Sequence, residues 1–135
     1  MLQRIEQLTK NKVDFAIETT LSSRNYLSKT KEWESKGYQI VMVYFWSNNP
    51  NLAMQRIMDH VKKVGHSIPN EIVIRRYYRS IKNLFDHFIP TCDYWLIVDN
   101  SGINPEIVCE GIKNNDLEIF NQQIWSEIKK VYYDK

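Results

Sequence analysis

The chain has 135 residues, of which 43% are hydrophobic and 13% aromatic; this composition predicts one folded globular domain and excludes a disordered chain. The net charge is only +2, and no apolar run approaches the roughly 18 residues of a membrane span. Cys92 and Cys109 lie far apart without a CxxC pair, and the amino terminus has no apolar signal core. These features argue against a disulfide scaffold, a secretion signal and a membrane partner, and they predict a cytoplasmic protein.

The charges are distributed unevenly along the chain. Residues 55–87 carry seven Lys or Arg against three Asp or Glu, together with all three histidines, whereas residues 88–135 carry four against eight. A basic middle predicts a surface that faces an anion. A solvated helix face with chance clustering explains the same charges equally well.

The amino-terminal half contains two amphipathic patterns and two apolar runs. They predict, in chain order, a helix over 2–12, a buried strand over 13–19, a helix from Ser22 or Ser23 to about Ser35, a strand over 38–46 and a helix over about 51–63. Gly37 is placed to end the second helix, and Pro50 suits the first turn of the third. The run over 38–46 is continuously β-branched and aromatic, which is typical of a strand buried on both faces.

The carboxy-terminal half continues the alternation of helices and strands. It predicts a loop over 64–69, a long helix over about 70–88 that Pro90 stops, a buried strand over 94–99, a hairpin over 106–120 with its turn at 114–116, and a helix over about 121–133. Strand, helix, strand, helices and strand in this order predict a three-layer α/β sheet.

Polar triplets follow two of the predicted strands. Glu18-Thr19-Thr20 ends the first strand, and Asp99-Asn100-Ser101 ends the strand over 94–99. Ligands of open α/β sheets bind beyond the carboxyl ends of the strands, so both triplets are candidates for a site. Helix capping and turn formation by the same residues is the alternative, and for a single triplet it is the commoner role.

Three arginines lie three and four residues apart in the predicted long helix. Arg75, Arg76 and Arg79 can therefore share a face or adjoining faces, and arginine makes planar, bidentate contacts to phosphate. Together with the preceding loop that contains His66, they would clamp a polyphosphate. The alternative, which composition alone favours, is a solvated basic face whose arginine stems pack over the neighbouring tyrosines.

Other ligand classes receive less support from the sequence. The histidines lack metal-ligand spacing, so no zinc site is predicted, and a lone loop histidine such as His66 more often orders backbone. Arginines and aromatic residues interleave in RRYYRS, but the near-neutral charge and the absence of a recognised motif argue against nucleic acid.

An ordered set of segments resembles the zeta-toxin-like P-loop kinases over roughly residues 4–120. The segments are FAIETTLSSRNYL, GYQIVMVYF, the GHSIP loop, IRRYYRSIKNL and YWLIVDNSG. The resemblance implies a P-loop kinase fold with a mostly parallel sheet, ATP and magnesium as cofactors, and a substrate of the UDP-activated amino sugar type.

The resemblance also implies roles for individual residues. Glu18, Thr19 and Thr20 stand at the strand end that faces the substrate, and Asp99 and Asn100 match the family's Asp-Asn-Ser turn. The residues implied to face nucleotide phosphates are Arg75, Arg76 and Arg79 of the lid-side motif, His66 of a Gly-Gly-His loop, and Arg56 on the helix before it.

The chain departs from the family pattern where phosphate would be held. No Gly-Lys-Ser or Gly-Lys-Thr occurs in it, so the lysine for the β- and γ-phosphates and the hydroxyl ligand for magnesium have no counterpart. The family's catalytic acid is also missing, Val64 replaces the first glycine of the histidine loop, and His60 replaces the second helix arginine. We therefore expect one partial domain over 1–135, with a helical lid-like region over 50–90, that lacks its amino-terminal strand, loop and helix and does not turn over alone.

Three hypotheses follow from these departures. The chain is a kinase fragment that keeps its substrate and lid elements, a kinase whose phosphate loop comes from a separate polypeptide, or a non-enzymatic interaction or regulatory module. In P-loop kinases the strand before the phosphate loop lies beside the ETT strand. Its absence predicts either direct pairing of 13–19 with 38–46, or completion of the sheet by a second copy or another chain.

Overall fold

The computed structural model describes residues 2–17, 19, 21–22, 25–50, 70–113 and 117–134. Its helices are α1 (Leu2–Lys10), α2 (Asn25–Ser35), α3 (Asn70–Asn83) and α4 (Gln122–Asp134). Its strands are β1 (Val41–Trp46), β2 (Tyr94–Asp99), β3 (Glu106–Ile112) and β4 (Glu118–Ile119). The helix expected over about 51–63 and the loop over 64–69 lie outside the described residues.

The four strands form one mixed sheet in the order β1-β2-β3-β4. β1 and β2 run parallel in a register that joins Val41 to Tyr94 and Trp46 to Asp99. β3 lies antiparallel to β2, with an irregular register between Ile97 and Val98, and β4 lies antiparallel to β3. The predicted α/β class and carboxy-terminal hairpin are confirmed. Within these four strands, however, antiparallel pairs outnumber the parallel one, so the described sheet is not mostly parallel.

Helix α2 ends as the sequence predicts. Gly37 has φ +93°, its N–H donates to the Glu34 carbonyl at 3.0 Å, and the next N–H, of Tyr38, reaches back to the Trp33 carbonyl at 3.1 Å. This is the Schellman arrangement, in which a glycine takes the left-handed conformation that a Cβ disfavours. The turn directs the chain from α2 toward β1.

The core lies between one face of the sheet and the helices α3 and α4. Its centre is formed by apolar side chains that are almost completely buried: Ile81, Leu84, Ile97, Val108, Cys109 and Ile128. The Trp95 and Trp125 rings stack at 6.3 Å with an interplanar angle of 22°. Gly111 of β3 leaves room for Trp95, since a Cβ built on this glycine would lie 2.4 Å from the indole ring.

The prediction of a strand over 13–19 is wrong. Residues 13–17 and 19 form no strand, because Phe15 packs edge-on against Trp33 at 5.2 Å and against Tyr38 at 5.6 Å rather than into the sheet. The Tyr38 hydroxyl also donates to the Val13 carbonyl at 2.9 Å. The Tyr38 hydroxyl thus bonds to a backbone carbonyl that a sheet ladder would use. The predicted direct pairing with β1 does not form in the described residues.

The expectation that β1 is buried on both faces is also wrong. Tyr44 and Trp46 are buried, but Val41, Val43 and Phe45 alternate with them and are 61%, 47% and 61% exposed. A continuous apolar run predicts two covering layers, yet in the described part of the chain the helices cover only one. The third layer therefore stays a prediction.

Pro90 does not stop the long helix. After α3 the chain makes a π-helical turn over Leu84–Phe88 and a last α-helical turn over Ile89–Thr91. The Ile89 N–H bonds to the Leu84 carbonyl five residues back. The π-helical turn, with its five-residue hydrogen bond, ends just before Pro90. The N–H that proline lacks is therefore missing at a point where the helix is already irregular.

The contact between Gly111 and Trp95 predicts a stability loss on substitution. Gly111→Ala should lower the free energy of unfolding by about 1–3 kcal/mol, since an added methyl group overpacks the core beneath the indole ring. Urea unfolding followed by far-UV circular dichroism measures this. Gly102→Ala is the matched control, because a Cβ at Gly102 meets nothing within 4 Å; equal midpoints for the two variants would refute the packing account.

Candidate functional site

A groove of about 740 Å³ runs along the outer edge of β1, and all six residues of that strand line it. The segment that follows α1 contributes Ala16, Ile17, Thr19 and Leu21, and α3 contributes Val73, Arg76, Tyr77 and Ser80. The groove thus lies where the described sheet stops, between the edge of β1, an irregular segment and the helices α2 and α3.

The carboxyl ends of β1 and β2 are tied together by a polar turn. The Asn100 N–H donates to the Trp46 carbonyl at 2.7 Å, and the Ser101 N–H donates to Asp99 Oδ1 at 2.9 Å. The Asn48 N–H donates to Ser101 Oγ at 2.8 Å. Asp99 and Ser101 therefore perform the turn-forming role that the sequence left open as the alternative, and they fix the end of the groove.

Helix α3 is fastened to β1 by tyrosine and serine hydroxyls. Ser80 Oγ donates to the Tyr77 carbonyl at 2.8 Å and lies 2.8 Å from the Tyr44 hydroxyl, so Tyr44 donates to Ser80. The Tyr77 hydroxyl donates to the Ser47 carbonyl just beyond β1. These bonds place Tyr77 and its neighbour Arg76 at the carboxyl end of the strand.

Burial changes the acidity of both tyrosines. It raises the pKa of Tyr44 to about 12, partly offset by the hydrogen bond with Ser80. Burial also raises the pKa of Tyr77, and the nearby Tyr44 and Tyr78 raise it further. Both hydroxyls therefore stay protonated at neutral pH and act as hydrogen-bond donors.

Sequence reasoning missed Tyr44, Tyr77 and Ser80. The signal it had was the spacing of Tyr77 and Ser80 by one helical turn within the arginine motif. The partner on β1 cannot be found from spacing, because 36 residues separate Tyr44 from Ser80.

Thr19 is held near the groove by a buried anchor. Leu21 has φ +58° and is buried, and its carbonyl accepts a hydrogen bond of 2.7 Å from Asn83 Nδ2 on α3. The Leu21 N–H in turn donates to Thr19 Oγ1 at 3.3 Å. A left-handed conformation is costly for leucine, and the Asn83 bond with the burial of the side chain holds it in place.

Three of the ten predicted site residues line one groove: Thr19, Arg76 and Asn100. Arg75 and Arg79 are exposed on α3 and are not among its lining residues, so the structure separates the three arginines. Asp99 is half-buried in the turn. The remaining predicted residues lie outside the described part of the chain: Glu18, Thr20, Arg56 and His66.

The described residues do not form a metal site. Within them, no three His, Cys, Asp or Glu side chains are close enough to hold an ion together. Burial is the main cause that raises the pKa of Cys92 and of Cys109 to about 12, so neither thiol is a nucleophile at neutral pH. None of the described helices is both long enough and apolar enough to cross a membrane.

Comparison with known protein families gives one match for the chain. The zeta toxin family matches residues 1–104, about three quarters of the chain. The chain belongs to the zeta toxin family. Proteins of this family in general have a kinase-type P-loop domain that binds nucleotide and magnesium.

One relative of this zeta toxin family chain comes from Haemophilus influenzae and is an uncharacterized protein. It is 31% identical over 68 residues, which cover 50% of this chain and 49% of the relative. The match therefore spans about half the length of that relative. No solved structure matches the chain.

The raised pKa of Tyr44 predicts alkaline destabilisation. The folded protein keeps this proton while the unfolded chain releases it above pH 10, so stability is constant below pH 10 and falls between pH 10 and 12. At pH 11 the loss from this group is about 1.4 kcal/mol. Tyr44→Phe should flatten the fall in urea midpoint between pH 9 and 11, whereas Tyr133→Phe, at a hydroxyl-bearing residue that is 71% exposed, should not. Identical profiles for Tyr44→Phe and the parent chain would contradict the burial of this hydroxyl.

Proposed function

We propose that the groove binds a phosphorylated small molecule at the carboxyl ends of β1 and β2. The observation that carries the proposal is that Arg76, Thr19 and Asn100, three residues singled out from the sequence, line this one groove. An arginine offers five donors in a planar fork that suits phosphate oxygens. A hydroxyl and an amide beside it suit the polar groups of a sugar or nucleoside.

The substrate class we propose is a UDP-activated amino sugar, with ATP and magnesium as the other participants in the complete site. Thr19, with Glu18 and Thr20, would contact the sugar hydroxyls, and Asn100, with Asp99, would close the same end. The phosphates of ATP would meet the remaining basic residues: Arg56, His66, Arg75 and Arg79. We propose that the complete domain is a three-layer, mostly parallel sheet, of which residues 50–90 form the lid-like part.

Phosphoryl transfer needs groups that these residues do not supply. The reaction depends on positioning and on neutralising the charge of the transferred group, and no Gly-Lys-Ser or Gly-Lys-Thr loop occurs among the 135 residues. Within the described residues no group of three or more His, Cys, Asp or Glu side chains could hold an ion by itself, and magnesium would therefore depend on the phosphates of its ligand. We therefore propose that this chain binds its ligand but transfers phosphate only when a phosphate loop is supplied by another polypeptide segment.

Isothermal titration with a UDP-activated amino sugar, and separately with ATP and magnesium, tests the binding step. Arg76→Gln should weaken binding about 10- to 150-fold, because a charge-assisted hydrogen bond to phosphate is worth about 1.5–3 kcal/mol. Lys82→Gln is the matched control: it removes one positive charge from the same helix, at an exposed position outside the groove lining.

Two results would contradict this proposal. Absence of heat with both ligands would refute binding in the groove, and equal losses for Arg76→Gln and Lys82→Gln would refute the assignment of Arg76. Measurable phosphate transfer by the chain alone would refute the need for a supplied phosphate loop.

A non-enzymatic protein-interaction or regulatory module is the second candidate. The observation that favours it is the exposed row of Val41, Val43 and Phe45 on an edge strand. Capture of a specific protein partner by the purified chain, together with no heat from either small ligand, would favour this candidate over the first.

A further inference from the structure

Strand β3 presents apolar and acidic side chains on the side that faces away from the core. Cys109 belongs to the core, and successive side chains of a strand point to opposite faces. Glu110 is therefore directed away from the helices, and so is Ile112, two residues further on. Ile107 joins them, because it pairs with Val98 rather than with a core residue of β2. Ile107 and Ile112 are 51% and 54% exposed, so this side of β3 is open to a partner.

Two carboxylates lie opposite each other on this side of the sheet. Glu118 of β4 is the partner of Glu110 in the β3–β4 ladder, and like charges at directly opposite positions destabilise a sheet. The Tyr94 hydroxyl donates to Glu110 Oε2 at 2.7 Å. In the part of the chain that the structure describes, no ion pair includes either glutamate. We call Ile107, Glu110, Ile112 and Glu118 the acidic face.

The charge around the acidic face has one sign. Residues 94–112 contain three acidic residues and neither lysine nor arginine. The next cation along the chain, Lys113, is held by Glu34 at 2.9 Å. The surface therefore attracts a cationic partner and repels a nucleic acid. A second copy that presented the same face would bring like charges together, which opposes association.

The acidic face is separate from the ligand groove. None of its four residues is among the described residues that line the groove. The residues that match the zeta toxin family end at 104, before β3 begins. The small-molecule site proposed above therefore gives this surface no role.

The spacing of the acidic face fits a helix. At about 3.3 Å per residue of strand, Glu110 lies roughly 10 Å from Ile107 and roughly 7 Å from Ile112. An α-helix rises about 1.5 Å per residue, so residues i, i+7 and i+11 lie on one side at separations of roughly 10 Å and 6 Å. A helix also satisfies its own backbone hydrogen bonds, which the face of a sheet cannot do for it.

We propose that the acidic face binds a cationic amphipathic helix of another protein. A lysine or arginine of that helix would lie between Glu110 and Glu118, and apolar side chains would cover Ile107 and Ile112. The cation would offset the repulsion between the two carboxylates. Binding here does not depend on the small-molecule site, because it uses none of the residues that line the groove.

Titration of the isotope-labelled chain with a synthetic helical peptide, followed by NMR, tests the proposal. The probe peptide is rich in alanine and glutamine and carries leucine at i and i+11 and lysine at i+7. The backbone amide signals of the acidic face should shift, while those of Val41 and Val43 in β1 should not. A control peptide of the same composition with its lysine at i+9, on the opposite side of the helix, should bind about fivefold more weakly.

A cycle of charge removals tests the contact between the lysine and the two glutamates. Replacing the peptide lysine with norleucine should weaken binding to the parent chain about fivefold, and it should change nothing in the double variant Glu110→Gln, Glu118→Gln. Glutamine keeps an oxygen for the Tyr94 hydroxyl, and the circular dichroism spectrum checks that this variant folds. The matched control is Glu127→Gln with Asp134→Asn, which removes two negative charges from exposed positions of α4; there the fivefold loss should persist.

Four outcomes would each overturn the proposal. They are amide shifts centred outside the acidic face, equal binding of the two lysine peptides, the same norleucine loss in the double variant as in the parent chain, and shifts of the acidic face that appear without peptide as the protein concentration rises. The last outcome would identify a second copy of the chain as the occupant.

Discussion

Within the described residues β1 pairs with a neighbour on one side only, and the rest of the structure depends on this constraint. β2 satisfies the backbone of Met42, Tyr44 and Trp46, and the alternate residues face a groove. Exposed backbone groups bond to water at little cost, so the edge is tolerated. Exposed valines and phenylalanine gain nothing from water, and for this reason the groove is where a ligand or partner has most to contribute.

The helices stabilise β1 from the face that they cover. Tyr44 and Tyr77 join α3 to the strand through Ser80 and the Ser47 carbonyl, while Trp95 packs between Gly111 and Trp125 in the neighbouring strands and helix. These contacts do not involve the outer edge. The hydroxyl bonds therefore hold α3 against β1, and Arg76 of α3 lines the groove beside that strand.

Much of the fold was predictable because it depends on local pattern. The strand over 94–99 and the end of α2 at Gly37 agree with the structure, since apolar runs and turn residues are encoded within a few positions. The segment over 13–19 has an equally good strand pattern, but its described residues form no strand. A strand also needs a neighbour, and Phe15 packs against Trp33 and Tyr38 instead. The hydrophobic pattern shows which secondary structure a segment can adopt. Whether a strand pairs depends on the rest of the chain.

The candidate site also has some features that the sequence predicts and others that depend on packing. The sequence could place the three arginines on one helix, but only the packing of α3 against β1 separates Arg76 from Arg75 and Arg79. The bond from Asn83 to Leu21 and the bond between Tyr44 and Ser80 span 62 and 36 residues, and no spacing rule reveals them. The sequence left open whether the triplet Asp99-Asn100-Ser101 binds a ligand or forms a turn. Its hydrogen bonds give Asp99 and Ser101 a role in the turn.

The most direct test of the open edge is a set of backbone NOEs in the free protein at low concentration. The account predicts inter-strand contacts between β1 and β2, such as those joining Val43 to Leu96, and none between β1 and residues 13–17. A ladder of NOEs between residues 13–17 and Val41, Val43 or Phe45 would contradict it, because the sheet would then be closed by the chain itself and the groove would not exist.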